Sequence, residues 1–449
     1  MMYKYSKFIL FVTLGALGLM LDAFYNGYPL VYSDTSTYLA SGFELQTPVD
    51  RPITYGLFIR LTSLNGFSLW ISIFFQSLIL SYLIFLLFKQ VVSERLFLKL
   101  GLTLILFLSF FTGISWTAGE LIADVFTPVA LLAMTVLLLG DIGKRTRAFL
   151  YLVYFISVSM HISHIMLFGL LLLMIYLLKS HLFKAELLKG IRLKVLMMFA
   201  LTIAAIFMMG SAISKSKDVF MMGAMVEQGI TKKYLDEYCG IRQYKMCAYK
   251  DSLPKTLNAF VWDTNSVFYK TGGWSAENRK EYNDIIFSTC TEPKYIKLHI
   301  EASLPATLQQ LMSFHIGDGN GKFVKGTLLF ERIKKYVPGD VSIYTSSQQN
   351  ELGFIYIKVW NKVYDGIILV SAIALLFFAV RKGRKLGDRI KPILCIFFIA
   401  IVGNAWDTGT FSCVADRFGC KMIWLIPFML VILLCNINSP TSANKKVNG

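Results

Sequence analysis

Apolar residues in this chain are gathered into long runs, and short polar or basic segments separate them. Most runs are long enough for a bilayer-spanning α-helix, which needs about 20 apolar residues. The pattern therefore predicts an all-α polytopic membrane protein. The runs lie at about 8–30, 66–88, 98–117, 122–140, 149–178, 195–214, 363–380, 391–408 and 422–437.

The run at 149–178 is too long for one ordinary span and has basic segments on both flanks. If both flanks are cytoplasmic, the chain crosses the membrane an even number of times between them. We therefore predict two short helices that meet near Ser159–His164, which gives about ten transmembrane helices in total. The alternative, one long tilted helix, would invert the orientation of everything that follows.

Basic residues are distributed unequally between the two sides of this predicted topology. The segments 1–7, 89–97, 141–148, 179–194, 381–391 and the tail from 438 contain, with Lys99, 21 Lys and Arg residues, whereas the short segments 31–65, 118–121 and 409–421 contain 4. Cytoplasmic loops carry the excess of Lys and Arg. We therefore predict a multi-pass protein of the inner (plasma) membrane with both termini in the cytoplasm.

The segment 215–362 differs in composition from its surroundings. It contains 20 Lys and Arg and 15 Asp and Glu residues, and it has no apolar run able to span a bilayer. Its length is typical of one domain, and the topology places it outside. The sequence thus predicts an N-terminal membrane domain (1–214), a mainly α extracytoplasmic domain (215–362) and C-terminal membrane helices (363–449).

The overall composition agrees with a membrane protein. Of the 449 residues, 55% are hydrophobic and 16% are charged, whereas a soluble domain has about 25% charged residues. A soluble enzyme, a disordered chain and a nucleic-acid-binding module are therefore excluded as interpretations. The formal charge of +17 falls mostly between apolar runs, as topological signals do, so we expect a lipid bilayer and no nucleic acid as partner.

Cysteines are concentrated on the predicted outer side. The pairs Cys239/Cys247 and Cys413/Cys420 are close enough in sequence for short-range disulfides in an oxidising compartment. Reduced cysteines of a protein core are the alternative.

The first predicted outer loop, 31–65, contains the most distinctive chemistry. Asp34 follows the first apolar run, and Asp50 and Arg51 come next. A carboxylate at a bilayer surface can act as a general base or bind a divalent metal such as Mg²⁺ or Mn²⁺, and an arginine beside it can pair with a phosphate. The alternatives are a helix-capping role for Asp34 and a local ion pair between Asp50 and Arg51.

The same loop resembles the GT-C superfamily of membrane glycosyltransferases. The residues that carry the resemblance are Asp34-x-x-x-Tyr38-x-Ala40 and Arg51-Pro52-x-x-Tyr55. The resemblance implies a catalytic acid at Asp34 and donor contacts from the loop, among them Tyr38 and Tyr55. It also implies a polyprenyl-phosphate-linked sugar as donor and a glycan, lipid or protein as acceptor. Family members commonly carry two adjacent acidic residues, whereas here Thr35 follows Asp34.

Further candidate residues lie in other predicted turns. Glu120 and Asp124 share one helix face, and the resemblance suggests that they face the same cavity; stabilisation of a helix N-terminus is the alternative. His161 and His164 lie at the predicted helix junction and are candidates for phosphate or metal contacts, with ordinary buried histidines as the alternative. Arg417, before the last apolar run, is a candidate phosphate partner or an interfacial anchor.

These observations predict a membrane glycosyltransferase that uses a lipid-linked donor. No Walker motif or Rossmann fingerprint is present in the sequence, so we expect no nucleotide cofactor. A lipid or polysaccharide transporter or flippase, and a membrane O-acyltransferase with His161 or His164 as base, are the alternatives.

Overall fold

The chain folds into helices, and its computed structural model describes residues 2–94, 96–183, 188, 190–383 and 386–437. No strand occurs in these residues, and an isolated β-bridge pairs Leu30 with Glu120. The predicted all-α class is therefore confirmed. The α-helices are α1 (Met2–Leu19), α2 (Leu21–Asn26), α3 (Ser33–Glu44), α4 (Thr54–Thr62), α5 (Leu69–Lys89), α6 (Phe97–Phe111), α7 (Ile114–Gly119), α8 (Phe126–Leu139), α9 (Lys144–Val158), α10 (Ile162–Leu182), α11 (Ile191–Met209), α12 (Ser211–Glu227), α13 (Ile230–Tyr238), α14 (Leu257–Trp262), α15 (Val267–Thr271), α16 (Ala276–Thr291), α17 (Pro293–Met312), α18 (Leu328–Tyr336), α19 (Val341–Thr345), α20 (Gln348–Glu351), α21 (Ile357–Lys382), α22 (Ile390–Phe411), α23 (Asp416–Ile423) and α24 (Leu425–Ile437).

Six helical segments of the described chain are long and apolar enough to cross a membrane. They are α5, α10, α11, α21, α22 and the combined α23–α24 segment, Asp416–Ile437. Three shorter apolar helices, Ser6–Leu19, Phe97–Phe111 and Ala123–Leu139, accompany them. These helices are compatible with a membrane protein, whereas the number of ten crossings and the orientation stay predictions. The predicted cytoplasmic tail from 438 and part of the segment 179–194 (residues 184–187 and 189) lie outside the described residues.

The predicted break in the long apolar run 149–178 is present. Helix α9 ends at Val158 and α10 begins at Ile162, so the chain turns at Ser159–His161. The His161 side chain accepts a hydrogen bond from the backbone N–H of Ser163 and thereby caps α10. The second helix has 21 residues and is longer than the short helix that we predicted.

The predicted spans 8–30 and 98–117 are not continuous helices either. The run 8–30 is divided between α1 and α2, and Gly27, with φ at +74°, ends α2. The run 98–117 is divided between α6 and α7. The hydroxyl of Ser115 donates to Asp22 (2.6 Å), and the backbone N–H of Leu30 donates to the carbonyl of Gly119 (2.9 Å). These hydrogen bonds join the ends of the two runs. At the interruptions of the helices, polar side chains and backbone groups pair with each other.

The segment 215–362 contributes to two different cores. Apolar residues of α12–α17, from Val219 to Tyr295, form a separate cluster, and a disulfide joins Cys239 to Cys247 beside it. Residues of α18 and α19, such as Ile333 and Tyr344, pack instead into the large core that the apolar helices share. The first predicted cysteine pair is confirmed, whereas Cys413 and Cys420 are free thiols, so the second pairing was wrong.

Candidate functional site

Two helices of the first loop position the predicted catalytic acid. Asp34 lies in the first turn of α3, and Thr35 bonds back to the backbone of Tyr32, so that a capping box fixes the start of this helix. Helices α3 and α4 touch at two glycines: a Cβ on Gly42 would clash with the carbonyl of Gly56. This close approach folds the loop back and brings its arginine next to Asp34.

Asp34 is the centre of a charged cluster. Its Oδ2 lies 2.9 Å from Nη1 of Arg51 and 3.2 Å from Nη1 of Arg417, and its side chain is 20% exposed. Burial alone would raise the pKa of the Asp34 carboxyl, but the two guanidinium groups together outweigh it and keep this pKa well below its ordinary value. Asp50 completes the cluster, since its Oδ2 lies 2.6 Å from Nη2 of Arg51.

Aromatic rings fix the direction of both arginines. The Arg51 guanidinium lies 5.2 Å from the ring centre of Tyr38. The Arg417 guanidinium lies 4.6 Å from the ring centre of Tyr32 and 4.7 Å from that of Phe418. Such cation–π contacts orient a guanidinium without occupying all its N–H donors. Donors of both arginines therefore remain available for a further anion.

The charged cluster forms part of the wall of a cavity of about 820 Å³. The rest of the wall is largely apolar and comes from α10, α12, α14 and α22. The cavity therefore combines a cluster of two arginines and two carboxylates with apolar walls, which suits an amphiphilic ligand. Its lining includes Tyr32, Asp34, Tyr38, Asp50, Arg51, His161, Met166, Lys217, Phe220, Met221, Leu257, Asn258, Trp262, Asp407, Phe411, Arg417 and Phe418.

Glu120 and Asp124 do not line this cavity. Nζ of Lys421 donates to Oδ1 of Asp124 (3.0 Å) in a pair that is almost fully buried. Nδ2 of Asn320 donates to Oε1 of Glu120 (2.6 Å). Burial raises the pKa of the Glu120 carboxyl to about 8, although the bond from Asn320 acts in the opposite direction. Both acids border a recess of about 10 Å³ that also touches Arg417.

The two candidate histidines have different surroundings. His161 lines the cavity, and its Nδ1 lies 2.7 Å from Oγ of Ser163. His164 is fully buried, with Nε2 2.7 Å from Oγ1 of Thr127 and Nδ1 2.8 Å from the carbonyl of Ser157. Both nitrogens of His164 are therefore used, and only His161 can reach a ligand.

The chemistry of Asp34 suggested a divalent metal, and the charged side chains that contact its Oδ2 are two arginines. Across the described ranges, no group of three or more His, Cys, Asp or Glu side chains is placed to bind a metal ion. Two arginines already contact Asp34, and Asp50 pairs with Arg51. The dependence on a metal stays a prediction, and the reaction proposed below does not use a metal ion.

Tyr55 contacts the cavity wall through Tyr38 and does not line the cavity itself. It is fully buried, and its hydroxyl donates to Oε1 of Gln76 (3.0 Å). Its ring packs edge-to-face on Tyr38 at 4.8 Å between ring centres. Tyr38 lines the cavity and Tyr55 does not, so only the first of these two predicted contacts is available to a ligand.

The glycine-rich loop 317–321 also contacts the site. Gly319 has φ at +72°, and a Cβ there would clash with the ring of Tyr32. The next residue, Asn320, contacts Glu120, and Oδ2 of Asp318 accepts from the backbone N–H of Arg417 (3.4 Å). The glycines were the available signal, because close packing against a ring requires a residue without a side chain.

Comparison with models of protein families, with curated proteins and with solved structures found no match to this chain.

Proposed function

We propose that this protein is a membrane glycosyltransferase that moves a sugar from a polyprenyl-phosphate-linked donor to an acceptor. The observation that carries the proposal is the position of Asp34 between Arg51 and Arg417 on the wall of the large cavity. A carboxylate, two phosphate-binding side chains and an apolar space are the parts that such a transfer requires.

Each part of the cavity corresponds to part of the proposed donor. The planar guanidinium groups of Arg51 and Arg417 suit a phosphate, which they can contact through paired N–H donors. Lys217, on α12, also lines the cavity and adds positive charge. The side chains of Met166, Met221 and other apolar lining residues suit the prenyl chain. We place this face of the cavity outside the cell, in agreement with the distribution of basic residues.

The proposed reaction uses Asp34 as the base. Bound phosphate competes for the two guanidinium groups and so weakens their pairing with Asp34, which raises the proton affinity of this carboxylate. Asp34 then accepts the proton of an acceptor hydroxyl while the hydroxyl oxygen forms a bond to the anomeric carbon of the sugar. The bond between that carbon and the phosphate oxygen breaks, and polyprenyl phosphate leaves with the bonding electrons.

The test is sugar transfer from a lipid-linked donor by purified protein, with donor affinity measured separately. Asp34→Asn keeps the shape of the side chain but removes the base, so the transfer rate should fall by about 10²–10⁴-fold. Arg51→Ala should weaken donor binding. Glu44→Gln is the matched control, since Glu44 lies at the other end of α3 and pairs with Arg332 outside the cavity.

Two results would contradict the proposal. Transfer at the wild-type rate by Asp34→Asn would remove the catalytic role of this residue. Translocation of the lipid-linked sugar across vesicles by the wild-type protein, without any transfer, would favour the flippase instead.

A further inference from the structure

A second acidic side chain borders the cavity, on helix α22. Asp407 is 5% exposed, lines the cavity, and its Oδ2 is buried without a hydrogen-bond partner among the described residues. A buried carboxyl oxygen without a partner is costly, and in an apolar helix it usually serves a ligand. The sequence contains this residue in Asn404-Ala405-Trp406-Asp407 but offers no motif that distinguishes it.

The surrounding charges do not compensate Asp407. Asp34 and Asp50 pair with arginines, and Lys421 pairs with Asp124. In the part of the chain that the structure covers, no ion pair joins Asp407 to a cationic side chain within 4.0 Å. The carboxyl therefore has hydrogen-bonding capacity that the protein itself leaves unused.

Helix α22 is fixed at the level of Asp407. The neighbouring Trp406 donates from Nε1 to Oγ of Ser303 on α17 (2.9 Å). Gly409, one residue beyond Thr408, lies so close to α17 that a Cβ there would be 2.8 Å from the carbonyl oxygen of Ala306. This packing fixes the backbone of α22 against α17 on both sides of Asp407 in the sequence.

Other residues that line the same cavity are typical of carbohydrate contacts. Trp262 is 46% exposed and carries a large aromatic ring. Asn258, one turn earlier on α14, lines the cavity as well. Carboxylates accept hydrogen bonds from hydroxyl groups, amides both donate and accept, and an aromatic face packs against the C–H groups of a sugar ring. These three side-chain types together suit a neutral, hydroxyl-rich group.

We propose that Asp407 is a specificity-determining residue that accepts a hydrogen bond from a hydroxyl group of the sugar carried by the lipid donor, with Trp262 packing on the sugar ring. The inference rests on the proposed function, because the same cavity is assumed to hold the donor phosphate at Arg51 and Arg417. It adds that a glycosylated lipid binds more tightly than the bare lipid phosphate.

The experiment compares two kinds of lipid on the purified full-length protein. Dissociation constants are measured by native mass spectrometry for undecaprenyl phosphate and for undecaprenyl phosphate linked to glucose, galactose or mannose. Wild-type protein should bind one of the glycosylated lipids more tightly than the bare lipid. Asp407→Ala should weaken binding of that glycosylated lipid by about 10- to 100-fold and leave binding of the bare lipid unchanged, with Asp407→Asn in between.

A second variant avoids reliance on a buried position. Trp262 is partly exposed, so Trp262→Ala should fold, and it should weaken binding of the glycosylated lipid by about 2- to 10-fold. Trp360→Ala is the matched control, because Trp360 is 42% exposed on α21 and does not line the cavity. Its affinity for both lipids should equal that of the wild type.

The outcomes separate this inference from the proposed function. If the wild type binds all four lipids equally, or if Asp407→Ala and Trp262→Ala leave the glycosylated lipid unaffected, the sugar contact is overturned while the phosphate site stands. If the wild type binds none of the four lipids, the proposed function falls and the inference falls with it. If Arg51→Ala weakens all lipids but Asp407→Ala only the glycosylated one, both are supported.

Discussion

The Oδ2 atom of Asp34 lies 3.2 Å from Nη1 of Arg417, which is 383 residues further along the chain. The same oxygen contacts Arg51, only one loop away. The loop 31–65 and the start of the last apolar segment therefore meet at one carboxylate. Since the cluster borders the cavity, an anion that enters there meets both arginines at once.

Removal of the distant arginine should therefore weaken the binding of a lipid phosphate. Arg417→Ala should raise the dissociation constant of undecaprenyl phosphate by about tenfold or more, because a charge-assisted hydrogen bond contributes about 1.5–3 kcal/mol. Arg417→Lys should recover part of this loss, since it keeps the charge but not the planar fork. Native mass spectrometry measures both. Arg332→Ala, an arginine paired with Glu44 outside the cavity, is the control, and unchanged affinity in Arg417→Ala would contradict the assignment.

The buried pair of Lys421 and Asp124 should matter for stability. Lys421 has no exposed surface and Asp124 little, so Lys421→Met leaves an unpaired carboxylate inside the protein. The expected loss is about 3–5 kcal/mol. The double variant Lys421→Met/Asp124→Leu should regain most of it, because no buried charge then remains unpaired.

This prediction is checked by unfolding in detergent with increasing denaturant. A double variant as unstable as Lys421→Met would show that the pair is not the source of the loss. We expected Asp124 to face the cavity. Its pairing with Lys421, across 297 residues, instead makes both residues part of the packing behind the site.

Local features of the fold were predictable because they depend on neighbouring residues. The break at Ser159–His161 followed from basic flanks on both sides of one apolar run, and it is present between α9 and α10. The proximity of Asp34 and Arg51 could be anticipated for the same reason, since one polar loop contains both residues. The divisions at Met20 and after Phe111 were missed, because apolar composition alone does not reveal where the backbone bends.

Long-range pairings were not predictable from a single sequence. Asn320 reaches Glu120 across 200 residues. Asp407 is distinguished by a side-chain oxygen that has no partner among the described residues, and not by a motif. Nothing in the local sequence states which distant side chain satisfies a carboxyl group. Only the packing of the helices decides whether an acid is paired, as Asp124 is.

Glu120 should make the stability of the protein depend on pH. Its folded-state pKa is raised to about 8 from 4.5 by burial, with the neighbouring Asp124 and Asp318 acting in the same direction and Asn320 and Arg417 against it. Between these values the folded state binds a proton that the unfolded state has released. The contribution of Glu120 to stability therefore falls as pH rises from about 4.5 to about 8, by up to about 1.4 kcal/mol per pH unit.

Glu120→Gln removes this titration and keeps an oxygen that accepts from Asn320. Thermal unfolding in detergent at pH 5, 6, 7 and 8 should show a smaller decline of the midpoint in Glu120→Gln than in the wild type. Glu44→Gln is the control, since Glu44 lies at the surface and its folded-state pKa is lowered rather than raised. Parallel profiles for Glu120→Gln and the wild type would show that Glu120 does not cause the decline.

The orientation of the chain is open to a direct labelling experiment. The excess of basic residues predicts that 215–362 lies outside. Ser252 in this segment and Ser180 at the end of α10 are both exposed. In a Cys290→Ser background, which removes an exposed thiol, Ser252→Cys should react with a membrane-impermeant maleimide in intact spheroplasts. Ser180→Cys should react only after the membrane is permeabilised, and the background protein alone gives the baseline. The opposite pattern would place 215–362 in the cytoplasm, where the donor cavity would face the wrong side for an extracytoplasmic transfer.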